Sequence, residues 1–239
     1  MRRLSYDLHL HSCLSPCGDD DMLPSNIVGM AALKGLDVIA LTDHNSCKNC
    51  EAVMTLAAQN GLLAIPGMEL CTAEEVHVVC LFPTLEAAMA FDAKVHALLP
   101  PIANNTILFG KQHIMSTEDE ILGEEPLLLI SAANLPFDQV YDTVAAYGGI
   151  MIPAHIEKNT NSLLANLGMV PEGSRFSCYE LKHPGYQAEL EEKHPYLKTC
   201  RMITDSDAHY LEYISEPIHF LEAEACTAEA VLQALTRRP

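Results

Sequence analysis

Short apolar runs alternate along the chain with longer segments in which apolar residues recur every three or four positions. Residues 4–10 alternate and predict a strand, and 37–42 (DVIALT) is apolar almost throughout, the pattern of a strand buried on both faces. Further strands are predicted at 62–66, 76–82, 127–130, 149–154, 176–181, 201–204 and 219–222. Helical periodicity covers 24–34, 48–60, 84–99, 137–147, 187–193 and 227–236. Pro24 opens the first helix, Gly35 follows its end, and Gly61 stops the second. This βα repetition predicts an α/β fold with a parallel sheet covered by helices, and about seven strands favour a closed or nearly closed barrel over an open sheet. Residues 100–126 break the pattern with PPIANN and the acidic stretch STEDEILGEE. They read as an irregular insertion in a single domain spanning 1–239.

Composition narrows the function classes. Apolar residues make up 49% and charged residues 19% of the 239, which suits a globular protein. Fourteen Lys and Arg against 32 Asp and Glu give a net charge of −18. A field of that sign repels phosphate backbones, so no stable nucleic-acid partner is expected. Carboxylates gathered around divalent metals would account for part of the excess, and the 11 histidines point the same way. No apolar run reaches the roughly 18 residues of a membrane span. Asp7, His9 and His11 interrupt any signal-peptide core near the start. Nine cysteines, an odd number, predict reduced thiols in a cytoplasmic protein.

The chemistry gathers where strands end. In DLHLHS, alternate strand residues share a face, so His9 and His11 point together while Leu8 and Leu10 enter apolar packing. LTDHN places His44 just past a strand, with Asp43 either capping the next helix or facing the same site. Glu69 follows LLAIP, His77 lies in VHVVCLF, His155 ends IPAH, and Asp207 and His209 lie in TDSDAH. Alone, His77 reads as a satisfied core histidine; together, these residues bring imidazoles and carboxylates to the C-terminal ends of several strands. That donor set suits Zn, Mn or Fe(II). His183 in ELKHPG follows a strand and is placed to reach a substrate, and Lys158 and Lys182 are candidate phosphate cations. Cys13, Cys17, Cys47 and Cys50 form either a separate metal or redox site or four ordinary thiols.

The motifs DLHLHS (7–12), LTDHN (41–45), GMEL (67–70), HVVCLF (77–82), IPAHI (152–156) and SDAH (206–209), in that order, resemble those of the PHP (polymerase and histidinol phosphatase) superfamily of metal-dependent phosphoesterases. The resemblance implies a distorted (β/α)7 TIM-like barrel with up to three divalent ions (Zn, Mn or Fe) at the C-terminal face. It implies one ion on His9, His11, Glu69 and Asp207, a second on His44, His209 and a residue following the H-x-H motif, and a third on Glu69, His77 and His155. Counting back five residues from Pro24 selects Asp19 for the open position, with Asp20 next in line. Asp43 would orient a ligand by hydrogen bonding. The implied activity is hydrolysis of a small phosphomonoester or short nucleotide by a metal-bound hydroxide. Two alternatives are a 3′–5′ exonuclease of the kind PHP domains supply to bacterial DNA polymerases, and a catalytically silent metal-binding regulatory module. The acidic charge and the missing polymerase segments oppose the first, and the nearly complete ligand set opposes the second.

Overall fold

Strand β1 (Arg2–Leu10) opens the computed structural model, which describes residues 1–238. Helix α1 (Pro24–Lys34) is closed by Gly35 in the left-handed conformation (φ 80°), whose N–H caps Ala31 and Ala32 carbonyls. There follow β2 (Val38–Leu41), α2 (Cys50–Gln59), β3 (Leu63–Cys71), β4 (His77–Leu81) and α3 (Leu85–His96), the last capped by the Thr84 hydroxyl. Next come α4 (Thr106–Phe109), β5 (His113–Met115), β6 (Ile121–Glu124), α5 (Phe137–Ala145), β7 (Ile150–Pro153) and α6 (Leu163–Leu167). The chain ends with β8 (Cys178–Glu180), α7 (Gln187–Lys193), β9 (Arg201–Ile203), β10 (Phe220–Ala223) and α8 (Ala228–Thr236).

The main sheet runs β10-β1-β2-β3-β4-β7. Side chains on alternate strand positions enter two apolar clusters. Val38 and Ala40 of β2 join the cluster that also holds Ile65, Val79, Ile152 and, from α8, Val231, Leu232 and Leu235. Ile39 and Leu41 join the larger cluster under α1, α2 and α3. The parallel pair β8–β9 is separate from the main ladder. It bridges the sheet's flanks through single hydrogen bonds, Ile156 N to Glu180 O (3.0 Å) on one side and His11 N to Ala208 O (3.0 Å) on the other. The result is a curled, half-barrel sheet.

Several expectations change. The sheet is mixed, not parallel throughout: β4 runs antiparallel to both β3 and β7, and β10 antiparallel to β1. Strand β3 runs on past Pro66 to Cys71, because β4 pairs with its second half, so Glu69 lies inside a strand. Residues 127–130 form no strand; the Gln112 side chain accepts from Leu129 N (2.9 Å) and Asn45 Nδ2 donates to Leu129 O (2.7 Å), replacing a ladder with side-chain amides. The 100–126 region holds a β5–β6 hairpin, pinned to the start of α2 by Asn49, which donates to His113 O (3.1 Å) and accepts from Met115 N (2.9 Å). In β1 the register slips between Asp7 and Leu10, which sends Leu8 and Leu10 to different clusters.

Gly67 lets β3 and β4 approach closely: a Cβ there would stand 2.6 Å from Cys80 O and 2.8 Å from a Leu81 methyl. Gly67→Ala is therefore expected to destabilise the fold by about 1–3 kcal/mol through overpacking. Urea unfolding followed by circular dichroism checks this, and an unchanged midpoint would show that the strands can part at no cost.

Candidate metal centre

The β3–β4 hairpin sets the position of the central carboxylate. Because β4 is antiparallel, His77 at its start lies on the same rim as the ends of β1 and β2, and an isolated bridge joins His44 to Glu69. His77 therefore reaches the site from the beginning of a strand, not as a satisfied core histidine. Glu69, 1% exposed at its side chain, accepts at Oε1 from His77 Nδ1 (2.8 Å) and His155 Nε2 (3.1 Å). His9 Nε2 lies 3.3 Å from the same oxygen. His44 Nδ1 (3.0 Å) and His11 Nε2 (3.4 Å) face Oε2. Asp207 Oδ1 adds a second anion, 3.5 Å from His9 Nε2 and 3.4 Å from His11 Nε2.

Burial disfavours the charged forms of His9, His11, His44, Glu69 and Asp207, yet opposite charges outweigh it. Burial opposes protonation of His9, but Glu180, Glu69 and Asp207 lift its pKa well above the ordinary imidazole value. His11 and His44 are raised against the same burial, His11 chiefly by Asp207 and Glu69, His44 chiefly by Glu69. Glu69 is held well below the carboxylate range despite burial, by His77, His9 and His44, and Asp207 likewise by His9 and His11. His209 goes the other way: burial and the neighbouring His11 push it down to about 3.

Around the imidazoles stand groups that fix their orientation. Glu180 Oε2 accepts from His9 Nδ1 (2.7 Å). Ser15 Oγ lies 3.0 Å from His11 Nδ1, accepts from His44 N (3.1 Å), and donates to Asp43 Oδ1 (2.7 Å). Asp43 also accepts from Ser12 N (2.7 Å) and Ser12 Oγ (2.6 Å), so it locks the loop after the H-x-H motif and caps no helix. Asp205 accepts from Leu8 N (2.6 Å) and Asp7 from Ser206 N (3.0 Å), which ties the Asp207 loop to β1. Asn45, His155 and Asp207 hold positive φ angles of 48°, 30° and 54°, strain of order 1–3 kcal/mol each that the surrounding contacts must hold.

Three groups of side chains have ligand atoms spaced to share an ion: His9, His11, Glu69 and Asp207; His11, His44 and His209; and His44, Glu69 and His77. His155 belongs to none of them and instead bonds Glu69 while its ring stacks on His9 (centroids 5.9 Å apart). Asp19 is not brought in either: its Oδ1 accepts from Asp21 N (2.9 Å), and Asp20 is exposed. His183 is exposed, 3.4 Å from Glu157, on the wall of a cleft of about 800 Å³ shared with Lys158 and Tyr186. Lys158 Nζ reaches Asp207 Oδ2 (3.1 Å), while Lys182 is tied to Ser206 O. The four thiols do not assemble: Cys47 donates to Gly67 O (3.1 Å), Cys50 is buried beside it, and Cys17 is exposed. All nine cysteines are free. Glu180 is the residue that sequence reasoning missed; it ends a strand in a carboxylate, the same signal that marked the others.

The donor set fits divalent ions on a further ground. His9 Nε2, His11 Nε2, His44 Nδ1, His155 Nδ1 and Glu69 Oε2 are buried without a hydrogen-bond partner. Buried polar atoms are seldom left so, and their concentration here marks a place for cations. A family model, the PHP domain, matches residues 7–166. The chain belongs to the PHP domain family. Members of that family are metal-dependent enzymes acting on phosphate esters. Asp207 and His209 lie beyond the matched span, and the β8–β9 side of the fold returns them to it.

The PHP chain is also similar to the lesion-specific endonuclease Q of Pyrococcus furiosus, at 19% identity and a TM-score of 0.67 over 98% of this chain and 56% of that one. A second endonuclease Q structure, at 19% identity and a TM-score of 0.66 with the same coverage, holds a 27-mer duplex with an abasic lesion at its active site. A 5′-3′ exoribonuclease of Haemophilus influenzae is 34% identical over 79 residues, 32% of this chain and 28% of that protein. The chain thus spans about half of the endonuclease and under a third of the exoribonuclease. The expectation that nucleic acid is no partner does not stand, since this fold carries a DNA duplex at its active site in endonuclease Q. Net charge is a sum over the molecule, whereas a phosphate meets only the local field, which cations in such a site make positive. Among the described residues, no helix is long and apolar enough to cross a membrane.

Two outcomes follow. The upward pKa shifts favour the protonated forms of His9, His11 and His44 in metal-free protein, so adding Zn or Mn should release protons into a weakly buffered solution. A pH-stat titration without acidification would show that these imidazoles are neutral or are not displaced. Glu180→Gln should weaken metal affinity about 10–100-fold in competition with a chelator, because it removes the anion that orients His9.

Proposed function

We propose that this chain hydrolyses a small phosphomonoester or a short nucleotide, with up to three divalent ions (Zn, Mn or Fe) gathered around Glu69. The observation that carries the reading is the set of partnerless buried imidazole nitrogens facing two carboxylates whose pKa values are depressed. We read the scaffold as a distorted seven-stranded barrel, β1-β2-β3-β4-β7-β8-β9. Its support is the pair of single hydrogen bonds that join β8–β9 to the main sheet.

When bound, the ions supply charge neutralisation for the phosphate oxygens and activation of water. Ligands are His9, His11, Glu69, Asp207, His44, His209 and His77, with His155 holding Glu69 in place. Asp43, through Ser15, orients His11 and His44; Glu180 orients His9. Lys158, half-exposed beside Asp207, pairs with a phosphate oxygen at the edge of the cleft. The cleft beyond it receives the leaving portion, with His183 and Tyr186 on its wall.

Chelation is expected to abolish hydrolysis of p-nitrophenyl phosphate, histidinol phosphate, nucleotides or short single-stranded oligonucleotides, and Zn, Mn or Fe to restore it. Full activity in protein shown metal-free by elemental analysis would sink the reading. Glu69→Gln should lower metal content further than His77→Ala, because Glu69 belongs to two of the ligand groups and His77 to one. Folded Glu69→Gln with the parent's stoichiometry and rate would remove Glu69 from the centre.

A further inference from the structure

We propose that Cys17 supplies a thiolate to the ion held by His11, His44 and His209, an inference that rests on the metal-dependent reading above. The loop from Ser12 to Asp19 touches all three histidines. Ser15 Oγ bonds the His11 ring and the His44 backbone, and Asp19 N donates to His209 O (2.9 Å). Within that loop Gly18 N donates to Ser15 O (2.8 Å), and a Cβ on Gly18 would stand 2.3 Å from Ser12 O, so the turn is tight and admits only glycine. The tight turn places Cys17 between Ser15, which bonds His11 and His44, and Asp19, which bonds His209. Cys17 is exposed and lines an open cleft with Gly18, Asp19 and Tyr210, so the sulfur is free to turn toward an ion.

The ligand group itself is incomplete. Three imidazoles leave a tetrahedral ion one position short, and His11 Nε2 and His44 Nδ1 are buried with no partner. Neither aspartate of the loop supplies the fourth: Asp19 is engaged by Asp21 N, and Asp20 is exposed. Coordination deprotonates the thiol, and its proton passes to solvent. A thiolate here favours Zn or Fe(II) over Mn, which a carboxylate would suit better.

The test is cobalt substitution. Chelator-stripped protein loaded with Co(II) should show visible d–d bands together with a near-ultraviolet sulfur-to-cobalt charge-transfer band. The charge-transfer band should persist in Cys226→Ser and vanish in Cys17→Ser. In Cys17→Asp it should be absent while the d–d bands remain. Bands without charge transfer in the parent, or charge transfer that survives in Cys17→Ser, would overturn the thiolate and leave the metal-dependent hydrolase intact. No cobalt uptake by folded protein would overturn both.

Discussion

One carboxylate, sealed from water, faces five imidazoles. Glu69 lies within 3.4 Å of ring nitrogens of His9, His11, His44, His77 and His155. A buried charge is costly unless it is paired. That requirement explains much of the surrounding architecture. The antiparallel turn from β3 into β4 brings His77 to the rim, the bulged end of β1 turns both His9 and His11 inward, and left-handed residues at 155 and 207 re-aim their side chains. Further carboxylates stand behind the ring, Glu180 on His9 and, through Ser15, Asp43 on His11, so these two imidazoles have an orientation before any ion arrives.

Much of the candidate site was legible because most of its residues sit in local motifs. H-x-H on a strand and T-D-H or D-x-H after one are patterns of spacing, and spacing is what a sequence displays. Glu180 carried the strand-end signal but not its role: its partner His9 is 171 positions away, and only folding shows that β8 ends beside β1. His155 carried the right signal but holds Glu69 rather than joining an ion-spaced group, a difference of ring orientation that no motif encodes. Asp19 was selected by counting residues from Pro24, and an Asx-type bond to Asp21 N turned its carboxylate away.

The fold was legible at the level of elements and less so in direction. Apolar runs predict strands but not their sense, so β4 and β10 were expected to be parallel. The run at 127–130 is apolar enough for a strand, yet its backbone is satisfied by Gln112 and Asn45 side chains, which periodicity does not detect. Net charge misled for a related reason. The −18 total says nothing of the field at a cluster where imidazoles surround the carboxylates and ions would add positive charge.

Glu69 as the anion shared by neighbouring ions is the centre of the account. Anomalous diffraction from crystals of metal-loaded protein, recorded at the metal's absorption edge, tests it most directly. The account predicts separate peaks within coordination distance of both Glu69 carboxylate oxygens, one on the His9 and His11 side and one on the His77 side. Ions bound elsewhere, with Glu69 touching none, would contradict it.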